Sequence, residues 1–172
     1  EAPLQQRLKE SLAALDTAGE VEIIPQTMPP FPWHFGGQRF HNLFVDSSFI
    51  TEFCRDQNMR VCLDVSHSKL ACNHLHTPFR EFLDQILPFT AHLHLADAKD
   101  VDGEGLQIQD GDIDWVQLFE QINQHCPNAS FIPEIWQGHK NNGEGAWLAL
   151  ERLENSADPQ QKAITQEKSK AA

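Results

Sequence analysis

Ala91-His92-Leu93-His94-Leu95-Ala96-Asp97 is a short apolar run in which two histidines stand two residues apart. Side chains alternate along a strand, so this spacing puts His92 and His94 on one face and Leu93 and Leu95 on the other. Three further runs have the same form. Val21-Glu22-Ile23-Ile24 leads to Gln26, Val61-Cys62-Leu63 ends in Asp64, and Phe131-Ile132-Pro133 ends in Glu134. Each run carries a metal-capable side chain at its C-terminal end, and helical patterns separate them. Strands alternating with helices imply a parallel sheet. Barrels of (β/α) units build their active sites from the C-terminal ends of several such strands. An Asp, a His and a Glu meeting there offer mixed oxygen and nitrogen ligation, suited to Mn, Mg, Co or Zn.

Outward from these runs, Leu4, Leu8, Leu12 and Leu15 recur at helical spacing before Gly19, a pattern that predicts an opening helix closed by a glycine. Residues 26–44 are rich in Pro, Gly and aromatics, including Trp33, and are expected to form a packed lid. Asp46 or Ser47 caps a helix carrying Phe49, Ile50, Phe53 and Cys54. Arg60 to Val65 is a strand followed by a Ser-His-Ser loop, and His74 and His76 are expected in a lid or on the surface beyond it. Thr77-Pro78 reads as an N-cap with Pro at the first helical position, ahead of the stripe Phe79, Phe82, Leu83 and Ile86. Trp115, Leu118, Phe119 and Ile122 mark a further helix, and Ala146, Ala149, Leu150 and Leu153 the last one. The order is α-(βα)₄. Four βα units are half of an eight-stranded barrel, whose usual length is roughly 250 residues. The expected fold is therefore α/β, the C-terminal half of a (β/α)₈ TIM barrel over residues 1–154, with a polar tail over 155–172. A small open α/β sheet is the alternative.

The chain has 13 Lys and Arg against 25 Asp and Glu, a formal net charge of −12. Affinity for polyanions comes mainly from Lys and Arg neutralising phosphates, so nucleic acid is not an expected partner. The four cysteines have no paired spacing, and no apolar stretch reaches the length of a membrane span. A reducing, cytoplasmic setting without membrane contact is expected. The outer strands of a lone half barrel would have unpaired edges, so an N-terminal half supplied upstream or in trans is expected, and a homo-oligomer is possible.

Asp64-x-x-His67, His94-Leu95-Ala96-Asp97-Ala98-Lys99, Gly111-Asp112-Ile113-Asp114-Trp115 and the strand-ending Glu134, in this order, resemble the xylose isomerase-like (endonuclease IV-like, AP endonuclease family 2) TIM-barrel superfamily. That group includes sugar isomerases and epimerases, inosose and dehydroshikimate dehydratases and a DNA repair nuclease. The resemblance covers about Val21 to Leu153. It implies a metal held by residues after strands five to eight, which fall here at Gln26, Asp64, His94 and Glu134. His67 matches the histidine that touches substrate oxygens. Where the superfamily carries a glutamate, this chain has Gln26, whose carbonyl can ligate a hard cation but cannot act as a base.

The resemblance implies a metal-dependent sugar or sugar-phosphate isomerase or epimerase working through an enediolate, with Glu134 as base and His67 supporting the substrate oxygens. A small polyhydroxylated substrate would be contacted by His67, Asp97, Lys99, Trp33, Trp136 and His139. His92 is expected to support the site from behind, and glycines 103, 105 and 111 to let the loop after the third strand turn over it. A dehydratase or lyase of the same group and a non-catalytic barrel module are the alternatives. A phosphodiesterase is disfavoured, because the loop after His94 has Asp102-Gly103-Glu104-Gly105 where further ligands would be needed.

Overall fold

The computed structural model describes residues 2–15, 19–31 and 42–157. Its elements are helix α1 (Ala2–Ala13), helix α2 (Ser47–Gln57), strand β1 (Val61–Asp64), helix α3 (Val65–Leu75), helix α4 (Phe79–Ile86) running into a 3₁₀ turn (Leu87–Phe89), strand β2 (Thr90–Leu95), the short strands β3 (Asp97–Lys99) and β4 (Gly103–Leu106), helix α5 (Trp115–His125), strand β5 (Ser130–Pro133) and helix α6 (Lys140–Ala157).

β1, β2 and β5 form a parallel sheet in the order β1-β2-β5, with Asp64 opposite His94 and His94 opposite Ile132. The helices connecting them make this a partial TIM barrel that does not close, the half barrel expected from the four runs. Its core lies between sheet and helices. Val61, Leu63, Leu93 and Leu95 from the strands meet Ile50, Phe53, Phe82, Leu83, Ile86 and Leu118 from the helices, all fully or nearly fully buried. The caps follow local chemistry. Asp46 accepts from the Phe49 amide at 2.9 Å and Asp114 from the Gln117 amide at 3.0 Å, each satisfying an orphan donor of the first turn.

The expected first strand is reduced to one parallel bridge, Gln26 to Cys62. Pro25 has no amide to donate, Val21 is 65% exposed, and the segment lies at the sheet's outer edge, so little favours a longer ladder. Backbone bonds from Cys62 N to Pro25 O and from Thr27 N to Cys62 O still fix Gln26 beside β1. The loop expected after Asp64 is helix α3 instead. Its polar residues Ser66 and Ser68 are buried, so the stripe facing the sheet is not apolar enough to read as amphipathic. His74 lies in the last turn of α3 and His76 is its left-handed C-cap. Helix α4 begins one residue later than expected, with Pro78 rather than Thr77 at the cap position.

The glycines after β2 serve a hairpin, in which β3 and β4 pair antiparallel. Gly105 takes φ +67°, and a Cβ on Gly103 would collide with the carbonyl of Lys99. Helix α6 continues through Ala157, and the rest of the expected tail lies outside the described residues, as do most of the lid segment and its Trp33. Among the described residues no helix is long and apolar enough to cross a membrane. All four cysteines are free and buried.

Candidate metal centre

Three ligand atoms, one each from Asp64, His94 and Glu134, lie within 4.8 Å of one another. They come from the C-terminal ends of adjacent parallel strands: Asp64 closes β1, His94 is next to last in β2, and Glu134 follows β5 with its amide bonded to the Leu95 carbonyl at 3.0 Å. The parallel register brings the three together.

Asp64 is held hard. Its Oδ1 accepts from the His67 amide at 2.9 Å, capping α3, and its own amide donates to Thr27 Oγ1 at 2.9 Å. Thr27 is fully buried and also receives a hydrogen bond from Ser68 Oγ at 3.0 Å. Capping consumes Oδ1 and leaves Oδ2 facing the centre. Asp64 is thus both cap and candidate ligand.

His94 Nδ1 stands 2.5 Å from Glu134 Oε2 and 3.6 Å from Asp64 Oδ2. Hydrogen bonds to Asp64 first, then to Cys62 and Glu134, push its pKa up to about 12, against the opposing effect of burial. The neighbouring His94 ring in turn holds the Glu134 carboxyl below the usual carboxylate range. The raised pKa favours a proton at the point where two carboxylates and an imidazole converge, the place a cation would take. Two carboxylate oxygens and one imidazole nitrogen at this spacing fit a divalent metal. Gln26 reaches the same point, its Nε2 donating to Asp64 Oδ2 at 2.9 Å and lying 3.3 Å from His94 Nδ1. Turning the amide over would present its oxygen in place of the nitrogen. Glu22 is outside the centre, exposed and ion-paired with Arg60.

Beside the trio opens a cleft of about 280 Å³, lined among others by Asp64, His67, Glu104, Glu134, Trp136 and His139. His67 has both ring nitrogens engaged: Nδ1 donates to the Thr27 carbonyl at 3.1 Å, with Asp64 Oδ2 at 3.2 Å, and Nε2 meets Glu104 Oε1 at 3.0 Å. Burial works against its charge, but the bond to Glu104 and the charges of Asp64 and Glu104 outweigh it and raise its pKa. His92 supports from behind, its Nδ1 2.8 Å from Ser130 Oγ and its ring edge-on to His94 at 5.3 Å.

Two expected substrate contacts are placed differently. Asp97 is fully buried, and its carboxylate accepts from the amides of Ala98, Gln109 and Ile113 and from Trp115 Nε1. It folds the loop after β2, and no oxygen faces the cleft. Lys99 is exposed at the end of β3 and is not part of the cleft lining. Trp136 and His139 do line it, both exposed. The residue missing from the expected set is Glu104. Gly105 N donates to Ser66 Oγ at 3.0 Å, so the hairpin is tied to α3 where Glu104 faces His67. Its one sequence signal is a carboxylate between two glycines, Gly103-Glu104-Gly105, in the loop after the histidine strand.

The family model described as xylose isomerase-like TIM barrel matches residues 2–156. No curated protein matches the chain. Among solved structures, a D-tagatose 3-epimerase-like protein superposes with a TM-score of 0.60 at 17% sequence identity. The match covers 84% of this chain and 49% of that one, so the chain spans about half the length of its structural neighbour.

Proposed function

The chain belongs to the xylose isomerase-like TIM-barrel family, and from that membership we propose that it is the C-terminal half, residues 1–154, of a metal-dependent sugar isomerase or epimerase. Its substrate would be a small polyhydroxylated carbonyl compound. The observation that carries this reading is the convergence of Asp64, His94 and Glu134 at the ends of three parallel strands. The epimerase-like neighbour supports it at the level of fold.

Asp64, His94 and Glu134 would hold a divalent ion such as Mn, Mg, Co or Zn, with Gln26 presenting its amide oxygen beside them. Such an ion supplies Lewis-acid polarisation of a substrate carbonyl. Glu134 is the base in this reading. Its side chain is about half exposed, at the cleft, and its lowered pKa keeps it ionised at neutral pH. It would remove the proton from the carbon beside the carbonyl and return it to the former carbonyl carbon, while the hydroxyl proton passes from the first carbon's oxygen to the former carbonyl oxygen. His67, held by Thr27 through Nδ1, would donate its Nε2–H to the oxygen on which charge develops, in place of Glu104. Gln26 cannot accept or deliver a proton, so a second base is missing at the first position of the expected ligand set. That favours one-face isomerisation, or elimination from the same enediolate, over epimerisation.

The remaining barrel half would come from elsewhere in the polypeptide or from a second subunit. Four buried free thiols suit a reducing, cytoplasmic compartment.

The test is metal content by mass spectrometry on the full-length protein and on Asp64→Asn and Glu134→Gln, followed by aldose–ketose interconversion assays on the loaded protein. About one divalent ion per chain, lost in both variants, together with turnover abolished in Glu134→Gln, is the expected result. Metal content indifferent to both substitutions overturns the reading.

A further inference from the structure

The edge segment that carries Gln26 has almost no ladder of its own. Pro25 has no amide to give, the bridge to Cys62 is single, and Pro29 and Pro30 follow. Thr27, next to Gln26, makes up for this with its side chain. It is fully buried, and its hydroxyl uses its whole bonding capacity. Oγ1 donates to the Asp64 carbonyl at 3.2 Å and accepts from the Asp64 amide at 2.9 Å and from Ser68 Oγ at 3.0 Å. One side chain thus grips both backbone groups of a candidate metal ligand and ties them to helix α3.

The Thr27 carbonyl acts on a second residue of the cleft. His67 Nδ1 stands 3.1 Å from it and 3.2 Å from Asp64 Oδ2, the oxygen that faces the metal centre. A carbonyl only accepts, so Nδ1 carries the hydrogen, and carbonyl and carboxylate compete for it at nearly equal distance. A full bond from His67 to Oδ2 would hold a lone pair that a cation needs. Turning the Gln26 amide over takes one donor, at 2.9 Å, off that oxygen, and the His67 ring proton is the other.

We propose that Thr27 is a positioning residue of the metal centre: its hydroxyl fixes Asp64, and its carbonyl draws the His67 ring proton off Asp64 Oδ2, keeping that oxygen open to a divalent ion. This role rests on the metal centre proposed above. The two effects are joined because hydroxyl and carbonyl belong to one residue. A side chain that lets go of Asp64 also lets the carbonyl drift from His67, whose proton then settles on Oδ2. The same contact decides which atom of His67 is offered to substrate. With Nδ1 committed to Thr27, Nε2 is the nitrogen turned to the Glu104 side of the cleft. Partners of this kind, one bond removed from the ion, orient the ligands and tune their affinity.

Chelator competition for Mn²⁺ with the full-length protein tests this without turnover. Thr27→Val keeps the shape and removes the hydroxyl, and should weaken Mn²⁺ binding by about 10–100-fold, the range for outer-shell partners of a metal. Thr27→Ser keeps the hydroxyl and should recover most of that affinity. In a His67→Leu background there is no Nδ1 proton to hold back, so the Thr27→Val loss should shrink by about threefold or more. A merely structural threonine would lose equally with and without His67. Should Thr27→Val not fold, Ser68→Ala stands in for it, since it strips one bond from the same hydroxyl and should still cost about threefold. Affinity unmoved in Thr27→Val or its stand-in, a loss that serine does not restore, or a loss independent of His67 overturns the inference and leaves the metal centre standing. A wild-type protein that binds no Mn²⁺ overturns both.

Discussion

The two flanks of the metal-centre cleft are built to opposite standards. On the β1 flank, Asp64 is sealed under Thr27, Gln26 and the first turn of α3, and its side chain is 5% exposed. On the β5 flank, Phe131 and Ile132 are 50% and 44% exposed, and the Glu134 side chain is 54% exposed. Beyond β5 no strand pairs with it among the described residues. The difference follows from what each strand has on its outer side. β1 is covered by the Gln26 bridge and packed under α2 and α3, whereas β5 ends the sheet and, among the described residues, pairs with β2 on one side only. A closed barrel leaves no such edge. The ligand set thus joins a rigid wall to an open one, and the open wall carries the proposed base.

The largest test of this contrast is in the core behind the sealed flank. Leu63→Ala should cost about 2–5 kcal/mol in urea unfolding, since Leu63 is fully buried and its removal leaves a cavity. A loss near zero would show that the β1 flank is not the rigid wall described.

Next come the ligands themselves. Asp64→Asn should retain the α3 cap, because Asn and Asp cap equally well, while lowering metal affinity by about 100-fold or more. Even outer-shell partners of a metal are worth about 10–100-fold. Glu134→Gln, on the exposed flank, should lose less. Competition with a chelator measures both, and equal losses would break the distinction between the flanks.

A third comparison is titration. The raised pKa of His94 favours a protonated ring in the metal-free protein, and ligation requires a neutral one, so metal affinity should rise about tenfold per pH unit between pH 6 and 9, with one proton released per ion. Calorimetry in buffers of different ionisation enthalpy reads that proton. The metal-free protein should behave oppositely at high pH. Glu134, with its lowered pKa, stabilises the fold above its ordinary value of 4.5 and loses that contribution as pH falls through its folded value. His94, with its raised pKa, contributes fully below 6.5 and loses its contribution as pH rises toward about 12. The pair is worth most between pH 4.5 and 6.5, which a urea midpoint series across pH would reveal as a maximum.

The smallest effect is expected at the open edge. Phe131→Thr should change stability by about 0.5 kcal/mol or less, the usual range for a surface site. A cost above about 2 kcal/mol would show that a partner strand covers β5 in solution.

Much of the architecture was legible in local pattern. The strands ending in Asp64, Leu95 and Pro133 were legible because each is a short, largely apolar run set between helical patterns. Asp46 and Asp114 announce helices because an aspartate oxygen satisfies a free amide three residues on. Asp64, His94 and Glu134 stood out because each is a polar group at or near the end of an apolar run, although the run ending before Glu134 proves to be exposed. Helix α3 was hidden because its buried face carries Ser66 and Ser68, which earn their burial by bonding to the hairpin and to Thr27. The Val21–Ile24 strand was over-read because apolar residues at an edge have the pattern of a strand without its neighbours.

The sequence by itself determined the alternation of elements, the parallel sheet and the three candidate ligand positions, since each depends on residues a few places apart. Tertiary structure alone decided that Asp97 turns inward to Trp115, that Glu104 meets His67 across 37 residues, and that the Gln26 amide faces Asp64 across 38. Those choices are made by hydrogen bonds between distant segments, where the cost of burying an unpaired polar group selects a partner that no local pattern encodes.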